Sequence, residues 1–388
     1  MATPRADNLW GKSKTRVFKE PSNIVSKMSS SVAARSLASR CNSNIKPECA
    51  SEALVLLETL LIGRNTKNLV VKIVSENIFL EGINDGGGRQ THPLMQEYQL
   101  TITLIEFFSK PGPRRDAIFH ALFGSQLSPQ RSSQLVKLVS IAVSISVVPV
   151  LTAAGTWLQQ VGYKSTLSQE VTKQIVDDFA FYSLPAREQL KQLSMIAPHF
   201  AASFMVAVAD IYLNERRSTG LTPPPEHLLD VFSDWITKNL TVCKAPPPVL
   251  GLPAGATAGP FVNPLASLMR WTILAPLVSQ TAAYSKLHLS VLTTLQQLAA
   301  IDKSTAVANR ELLQTAKSLQ SYCARLRRRK LKPEDDAAYQ RSMARFAQAV
   351  QIALCSKCLT NRYPLITALK ALPPFKLMSI VISSSKRR

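Results

Sequence analysis

The residues best suited to chemistry in this 388-residue chain are cysteines, histidines and one pair of acids. Cys355-Ser356-Lys357-Cys358 has the spacing of half a zinc site, but no second pair of ligands follows at a suitable spacing. The five histidines form no His-x₃-His pair. Asp177 and Asp178 would point about 100° apart on a helix, so they cannot easily share a proton or a metal. We therefore expect structural cysteines, no metal or cofactor site, and no enzyme.

A run of cations is the strongest electrostatic feature. Six basic residues fall within eight positions, at the expected C-terminal end of a helix, where positive charge is favourable. This pattern predicts a nuclear-localisation signal or a phosphate-contact patch. No aromatic residues are interleaved with the cations, so sequence-specific reading of bases is not supported. The members of this patch are Arg325, Arg327, Arg328, Arg329, Lys330 and Lys332.

The net charge of +21 lies entirely at the two ends of the chain. Residues 1–46 carry nine Lys+Arg and two acids (+7), and residues 303–388 carry 18 Lys+Arg and four acids (+14). The intervening residues therefore net zero, which is typical of a body that packs against itself and against other proteins. The basic ends are suited to a negatively charged partner or to an import receptor.

The elements that position these residues are predicted to be helices throughout. Ser128-Pro129 has the pattern of an N-cap followed by a first-turn proline, and Thr166 with Gln169 resembles a capping box. In the helix over 281–300, Tyr284, His288, Val291, Leu295 and Leu298 fall on one face, which predicts that His288 is a core histidine.

A second single-faced helix is expected over 334–356, and no strand pattern appears. Its buried face would be Tyr339, Met343, Phe346, Val350 and Leu354. Many helices of ordinary length joined by short loops indicate an all-α chain, and we expect a HEAT- or armadillo-like α-solenoid. This domain would span 47–388 with an internal linker at about 245–260, after a disordered basic tail at 1–46.

Residues 138–163 contain no charge and are long enough to span a bilayer. Serines and threonines dilute this stretch, and Pro149 interrupts it near the middle. Two buried helices that meet at Pro149 explain the stretch better than a membrane span does, so no membrane association is expected.

Several blocks of sequence resemble the metazoan family of Integrator complex subunit 15. The most specific is 283–292, which contains Tyr284, Lys286 and His288. Other blocks agree in order and spacing over roughly residues 94–383, and they are 137–140, 149–151, 157–159, 177–178, 270–271, 275–277 and 381–383. The resemblance assigns structural rather than binding roles to Trp157, Arg270, Trp271, Tyr284, Lys286 and His288.

What the resemblance implies is a nuclear, non-catalytic helical-repeat scaffold in the Integrator complex. Such a subunit would act in attenuation of RNA polymerase II transcription and in 3′-end processing of small nuclear RNA. It would bridge a peripheral module of subunits 10, 13 and 14 to core subunits 5 and 8, with subunit 10 the closest partner. The charge of its basic ends, and not the resemblance, predicts that they would assist import or contact nascent RNA. An independent RNA- or DNA-binding nuclear protein is the alternative interpretation.

Overall fold

The computed structural model describes residues 47–62, 74–76, 78–79, 94–110, 112, 115–124, 127–179, 184–213, 223–244, 262–278, 282–301, 309–328, 333–359 and 361–386. All regular elements within these ranges are helices, and none is a strand. The expectation of an all-α chain is therefore confirmed. The tail at 1–46 and the whole of the linker at 245–260 lie outside the described residues.

The described α-helices follow one another in chain order and are connected mainly by short segments. Two 3₁₀ turns, Leu240–Cys243 and Ala275–Leu277, extend the ends of α10 and α11. The α-helices are α1 Pro47–Ile62, α2 Leu94–Ser109, α3 Arg115–Leu122, α4 Pro129–Ser144, α5 Val148–Val161, α6 Thr166–Phe179, α7 Leu184–Leu190, α8 Leu193–Ile196, α9 Pro198–Leu213, α10 Glu226–Lys238, α11 Pro264–Leu274, α12 Ala283–Ile301, α13 Asn309–Arg328, α14 Pro333–Cys355, α15 Tyr363–Lys370 and α16 Lys376–Lys386.

The charge-free stretch at 138–163 is divided between α4 and α5, as predicted. α4 ends where Ser146 adopts a left-handed conformation (φ 59°) and the Val147 amide donates to Ala142 O at 2.9 Å. α5 then begins at Val148, and Pro149 occupies its first turn, where the missing N–H has no helical partner to lose. Within the described part of the chain, no helix combines the length and apolar character that crossing a membrane requires.

The N-cap predicted for α4 is confirmed, and the N-cap predicted for α6 is one residue too far along the chain. Ser128 caps α4, because its Oγ accepts from the Arg131 amide at 3.2 Å. The cap of α6 is Ser165 rather than Thr166, because Ser165 Oγ accepts from the Ser168 amide at 3.1 Å. The capping box predicted at Thr166 and Gln169 is therefore wrong, and Gln169 is buried instead.

The faces predicted to be buried on α12 and α14 are confirmed residue by residue, because all ten side chains are less than 9% exposed. Helical periodicity is sufficient for this prediction, since residues three and four apart share a face. The shorter helices α3, α7 and α8 and the C-terminal helix α16 were not predicted. Their lengths give periodicity too few turns to act on.

The two central helices α5 and α9 cross closely at a glycine. A Cβ built on Gly155 would lie 2.9 Å from Phe200 Cα and 3.0 Å from Phe200 N. Only glycine therefore permits this backbone approach. α9 is buried on nearly all sides and also contacts α6 and α11, so it lies at the centre of the apolar core.

Candidate interaction surfaces

Two of the residues that carry the family resemblance, Trp271 and Tyr284, lie in an aromatic cluster between α9, α10, α11 and α12. Trp271 is 1% exposed. Its ring stacks on Tyr212 at 5.6 Å between centroids and meets Tyr284 edge-on at 5.5 Å. Trp157 is buried on α5, with no hydrogen-bond acceptor for its Nε1 among the described residues. Stacked and edge-to-face rings stabilise a core beyond the area they bury, and Trp157 and Trp271 both lie within the core.

His288 lies in a buried polar network beside this cluster. Its Nε2 is 3.1 Å from Gln348 Oε1, which can only accept, so Nε2 carries the proton of the neutral ring. Nδ1 lies 3.4 Å from Thr272 Oγ1. Burial lowers the pKa of His288 from 6.5 to about 4, against a smaller opposing contribution from the Gln348 hydrogen bond, and the nearby Arg345 charge lowers it further. The ring is therefore neutral at physiological pH and joins α12 to α11 and α14.

Arg270 and Lys286 form bridges between helices. The Arg270 guanidinium donates to Ser318 Oγ at 3.3 Å and connects α11 to α13. Lys286 Nζ lies 2.6 Å from Asp230 Oδ1 and connects α12 to α10 at the surface. Both side chains of the Lys286 pair are more than half exposed, so water screens the attraction and its contribution to stability is small.

The acid pair divides into two separate contacts. Asp177 forms an ion pair with Lys173 on the same helix, and Asp178 accepts from Ser140 Oγ at 2.5 Å across to α4. The two carboxylates therefore do not share a site. Among the described residues, no group of three His, Cys, Asp or Glu side chains could hold a metal ion.

Cys355 and Cys358 straddle the end of a helix instead of sharing a helical face. α14 ends at Cys355, and Lys357 adopts the left-handed conformation with φ 56°. The Cys358 amide then donates to Ala353 O, and the Lys357 amide donates to Leu354 O, which is a Schellman motif. Cys355 is exposed and Cys358 is buried, and neither is in a disulfide with a described residue. The CxxC segment thus forms the C-cap of α14.

The described members of the cationic patch lie in the last turn of α13. Arg325 and Arg328 are exposed, and the Arg325 guanidinium lies 5.7 Å from the centre of the Tyr322 ring. The side chain of Arg327 and all of Arg329, Lys330 and Lys332 lie outside the described residues. The structure thus places two of the six predicted contact residues on an open surface.

Sequence reasoning missed an apolar stripe on the outer face of α2. Leu94, Met95, Tyr98 and Ile102 are 66%, 69%, 49% and 54% exposed. The opposite face of α2 is also apolar, and it is buried through Leu100, Leu104, Phe107 and Phe108. A helix that is apolar on both faces is normally covered on both. This two-sided apolar pattern was the signal in the sequence that could have found the stripe.

Charged side chains border one edge of this outer stripe. Glu97 pairs with Lys137 at 2.6 Å, and Lys137 Nζ lies 5.6 Å from the centre of the Tyr98 ring. The position of Tyr98 is therefore defined before any partner binds. Apolar anchors with a polar rim are typical of protein–protein interfaces.

Comparison with known proteins gives one consistent result. The family described as Integrator complex subunit 15 matches residues 39–374. The Integrator complex subunit 15 of Drosophila melanogaster is 56% identical over 351 residues, covering 88% of this chain and 94% of the fly protein. The proteins of the same name from Danio rerio and Homo sapiens are each 28% identical, over 347 and 336 residues, which cover 81% and 74% of this chain and 71% and 72% of theirs. The matched residues include α1 and the apolar stripe of α2, so the similarity begins well before residue 94.

Proposed function

Because the chain belongs to the Integrator complex subunit 15 family, we propose that it is a non-catalytic scaffold of the nuclear Integrator complex. It bridges a peripheral module of subunits 10, 13 and 14 to core subunits 5 and 8, with subunit 10 the closest partner. In this role it serves attenuation of RNA polymerase II transcription and 3′-end processing of small nuclear RNA. Its basic ends assist import or contact nascent RNA.

The serial packing of the helices supports a HEAT-like solenoid as the form of this scaffold. α1 contacts α2 and α3, α5 contacts α2, α3, α4 and α9, and α11 contacts α9, α12, α13 and α14. Side-chain bonds from Lys286, His288 and Arg345 reach partners 56, 60 and 73 residues away. A chain in which successive helices bury one another in order offers extended surfaces to several partners at once.

The outer stripe of α2 is the observation that carries the proposal of a partner interface. Four large apolar side chains on one exposed face remain in contact with water unless another protein covers them. Burying this apolar area against a partner is favourable. We propose that an apolar helix of another Integrator subunit lies along this stripe. Tyr98, held by Lys137, would lie near the centre of that contact, where aromatic residues contribute most to affinity.

Co-expression with Integrator subunit 10, followed by gel filtration, tests the scaffold role. The wild-type chain is expected to co-elute with subunit 10 at about 300 mM salt, since apolar contacts survive the screening of surface charge. Separate elution would contradict the assignment of subunit 10 as the closest partner. Parallel co-expression with subunits 5, 8, 13 and 14 assigns each remaining partner.

A matched pair of variants tests the stripe itself. The triple variant Leu94→Gln, Met95→Gln, Ile102→Gln removes apolar surface without touching the core, so it is expected to fold and to lose the partner. The control replaces three comparably exposed apolar residues away from α2, of which Ile145 follows the end of α4 and Leu289 and Ile301 lie on α12. The changes are Ile145→Gln, Leu289→Gln and Ile301→Gln, at side chains that are 59%, 61% and 67% exposed. Anchors at an interface centre contribute about 2 kcal/mol each, so only the first variant should fail to co-elute. Equal behaviour of the two variants would refute α2 as the docking site.

A further inference from the structure

The exposed face of α13 extends the cationic patch over the whole length of the helix. Arg310, Lys317 and Arg328 fall within about 20° of one another when residues advance by about 100° along the helix. Arg325 lies at the edge of the same face, and the uncharged Gln314 and Ser321 lie between the cations. Eighteen residues separate Arg310 from Arg328, which corresponds to about 27 Å of helix. This basic row is the surface considered below.

Three neighbouring contacts fix the orientation of the basic row. Ser318 Oγ accepts from Arg270 of α11 at 3.3 Å, and Gln320 Nε2 donates to Ala368 O of α15 at 3.1 Å. Asn309 donates to Asn361 O at the start of the helix. These bonds hold the inner faces of α13 against the core, so the cations are presented outward from a rigid element.

Three cations of the row carry no ion pair within the described part of the chain. Arg310, Lys317 and Arg328 form no ion pair with any other residue that the structure describes. Like charges spaced three or four apart on a helix repel each other, as Arg325 and Arg328 do here. An anionic ligand that removes this repulsion is therefore favoured by charge complementarity.

Acidic side chains border the basic row of α13. Glu334, Asp335 and Asp336 occupy the first turn of α14. Burial raises the pKa of Tyr322, the nearby Asp335 carboxylate adds to this effect, and Arg325 opposes it. Glu311 lies on a half-buried flank of α13. The positive face is therefore a narrow row with an acidic border beside Arg325, which suits a linear array of negative charges.

We propose that the basic row of α13 binds the phosphate backbone of a nucleic-acid duplex. A duplex carries one negative charge per about 1.7 Å of its axis, so about 27 Å of helix can follow several phosphates. No aromatic side chain is exposed along the row, so it lacks the stacking platforms that single strands use. Contacts made only to phosphates position a duplex without reading its sequence. This inference rests on the proposed contact of the basic ends with RNA, which it makes specific, and it is independent of the bridging role.

Two full-length triple variants with the same net charge test the proposal. The first, Arg310→Gln, Lys317→Gln, Arg328→Gln, neutralises the row. The second, Lys110→Gln, Lys164→Gln, Lys244→Gln, neutralises three exposed lysines elsewhere. Both change +21 by three charges, to +18, and both keep every other cation, including those of the N-terminal residues. Any difference in duplex affinity between the two variants therefore depends on where the cations lie and not on the net charge.

The measurement is fluorescence anisotropy with a 20-base-pair DNA duplex, a hairpin RNA of the same stem length and a 20-nucleotide single-stranded RNA, each over a range of salt. Removing three phosphate contacts is expected to reduce the slope of log K against log salt by about 3 and to weaken duplex binding on the order of 100-fold near 0.1 M salt. The control variant should bind as the wild type does. Thermal melts followed by circular dichroism verify that both variants fold.

Three results would overturn the proposal. Equal loss in the two variants would show that only total charge matters. Tighter binding of the single strand than of either duplex would exclude a duplex as the occupant. Displacement of the duplex by polyglutamate of equal charge would instead identify an acidic protein as the ligand of this face. Because none of these assays includes another Integrator subunit, their failure is distinct from failure of the scaffold proposal.

Discussion

Replacing His288 with glutamine should flatten the dependence of stability on pH. In the folded chain the imidazole has a pKa of about 4, compared with 6.5 as its ordinary value, chiefly because it is buried. As the pH falls below 6.5, the unfolded chain takes up a proton at this ring and the folded chain does not. The unfolded state is therefore favoured progressively, and stability present above pH 6.5 is lost as the pH falls towards 4.

The size of this effect follows from the two pKa values. At pH 5 the difference corresponds to about 2 kcal/mol of lost stability, and at pH 7.5 to less than ~0.1 kcal/mol. Glutamine does not titrate and can still bond to Gln348, so the variant should lack this loss. His120, His199 and His227 also have pKa values lowered by burial, but they are present in both proteins and cancel in the comparison.

Urea unfolding of the wild type and of His288→Gln at pH 7.5, 6 and 5 measures the effect. The wild type should lose about 2 kcal/mol more than the variant between pH 7.5 and pH 5. Parallel loss of stability in the two proteins would show that the ring titrates alike in the folded and unfolded states. The buried network with Gln348 and Thr272 would then not keep His288 neutral.

Three further substitutions test the packing. Gly155→Ala should lower the free energy of unfolding by about 1–3 kcal/mol, because the added Cβ would meet the Phe200 backbone. Helix propensity alone predicts a gain of about 1 kcal/mol, and that result would contradict the close crossing of α5 and α9. Lys357→Gly should stabilise by roughly 0.5–1 kcal/mol by relieving the left-handed conformation, and a lower urea midpoint would contradict the Schellman geometry. Trp271→Ala should lower the free energy of unfolding by about 3–5 kcal/mol, because the contacts with Tyr212 and Tyr284 are lost. A change below about 1 kcal/mol in chemical unfolding would show that the aromatic cluster is not part of the core.

Part of the basic row of α13 could be predicted from the sequence, because charged side chains are rarely buried. A run such as Arg325–Lys332 cannot be buried without partners, so it had to lie at the surface. The remainder of the basic row could not be recognised in this way. Arg310 and Lys317 are isolated in the sequence, and only the contacts of Ser318 and Gln320 show which face of α13 is left open.

The apolar stripe of α2 also required the tertiary structure before it could be recognised as an exposed surface. Periodicity finds apolar faces, but it cannot distinguish a face that covers the chain's own core from one that remains exposed. The positions of α1 and α4 around α2 decide that Leu104 is buried and that Ile102 is not.

The sequence by itself determined the helical class, the break between α4 and α5, and the buried faces of α12 and α14. These features depend on local periodicity, on prolines and on capping residues, whose effects reach only a turn or two along the chain. Only the tertiary structure decided that Gly155 forms a helix crossing, that Lys357 and Cys358 form a C-cap, and which faces of α2 and α13 stay open. Each of these depends on residues distant in sequence or on a backbone conformation that residue type does not dictate.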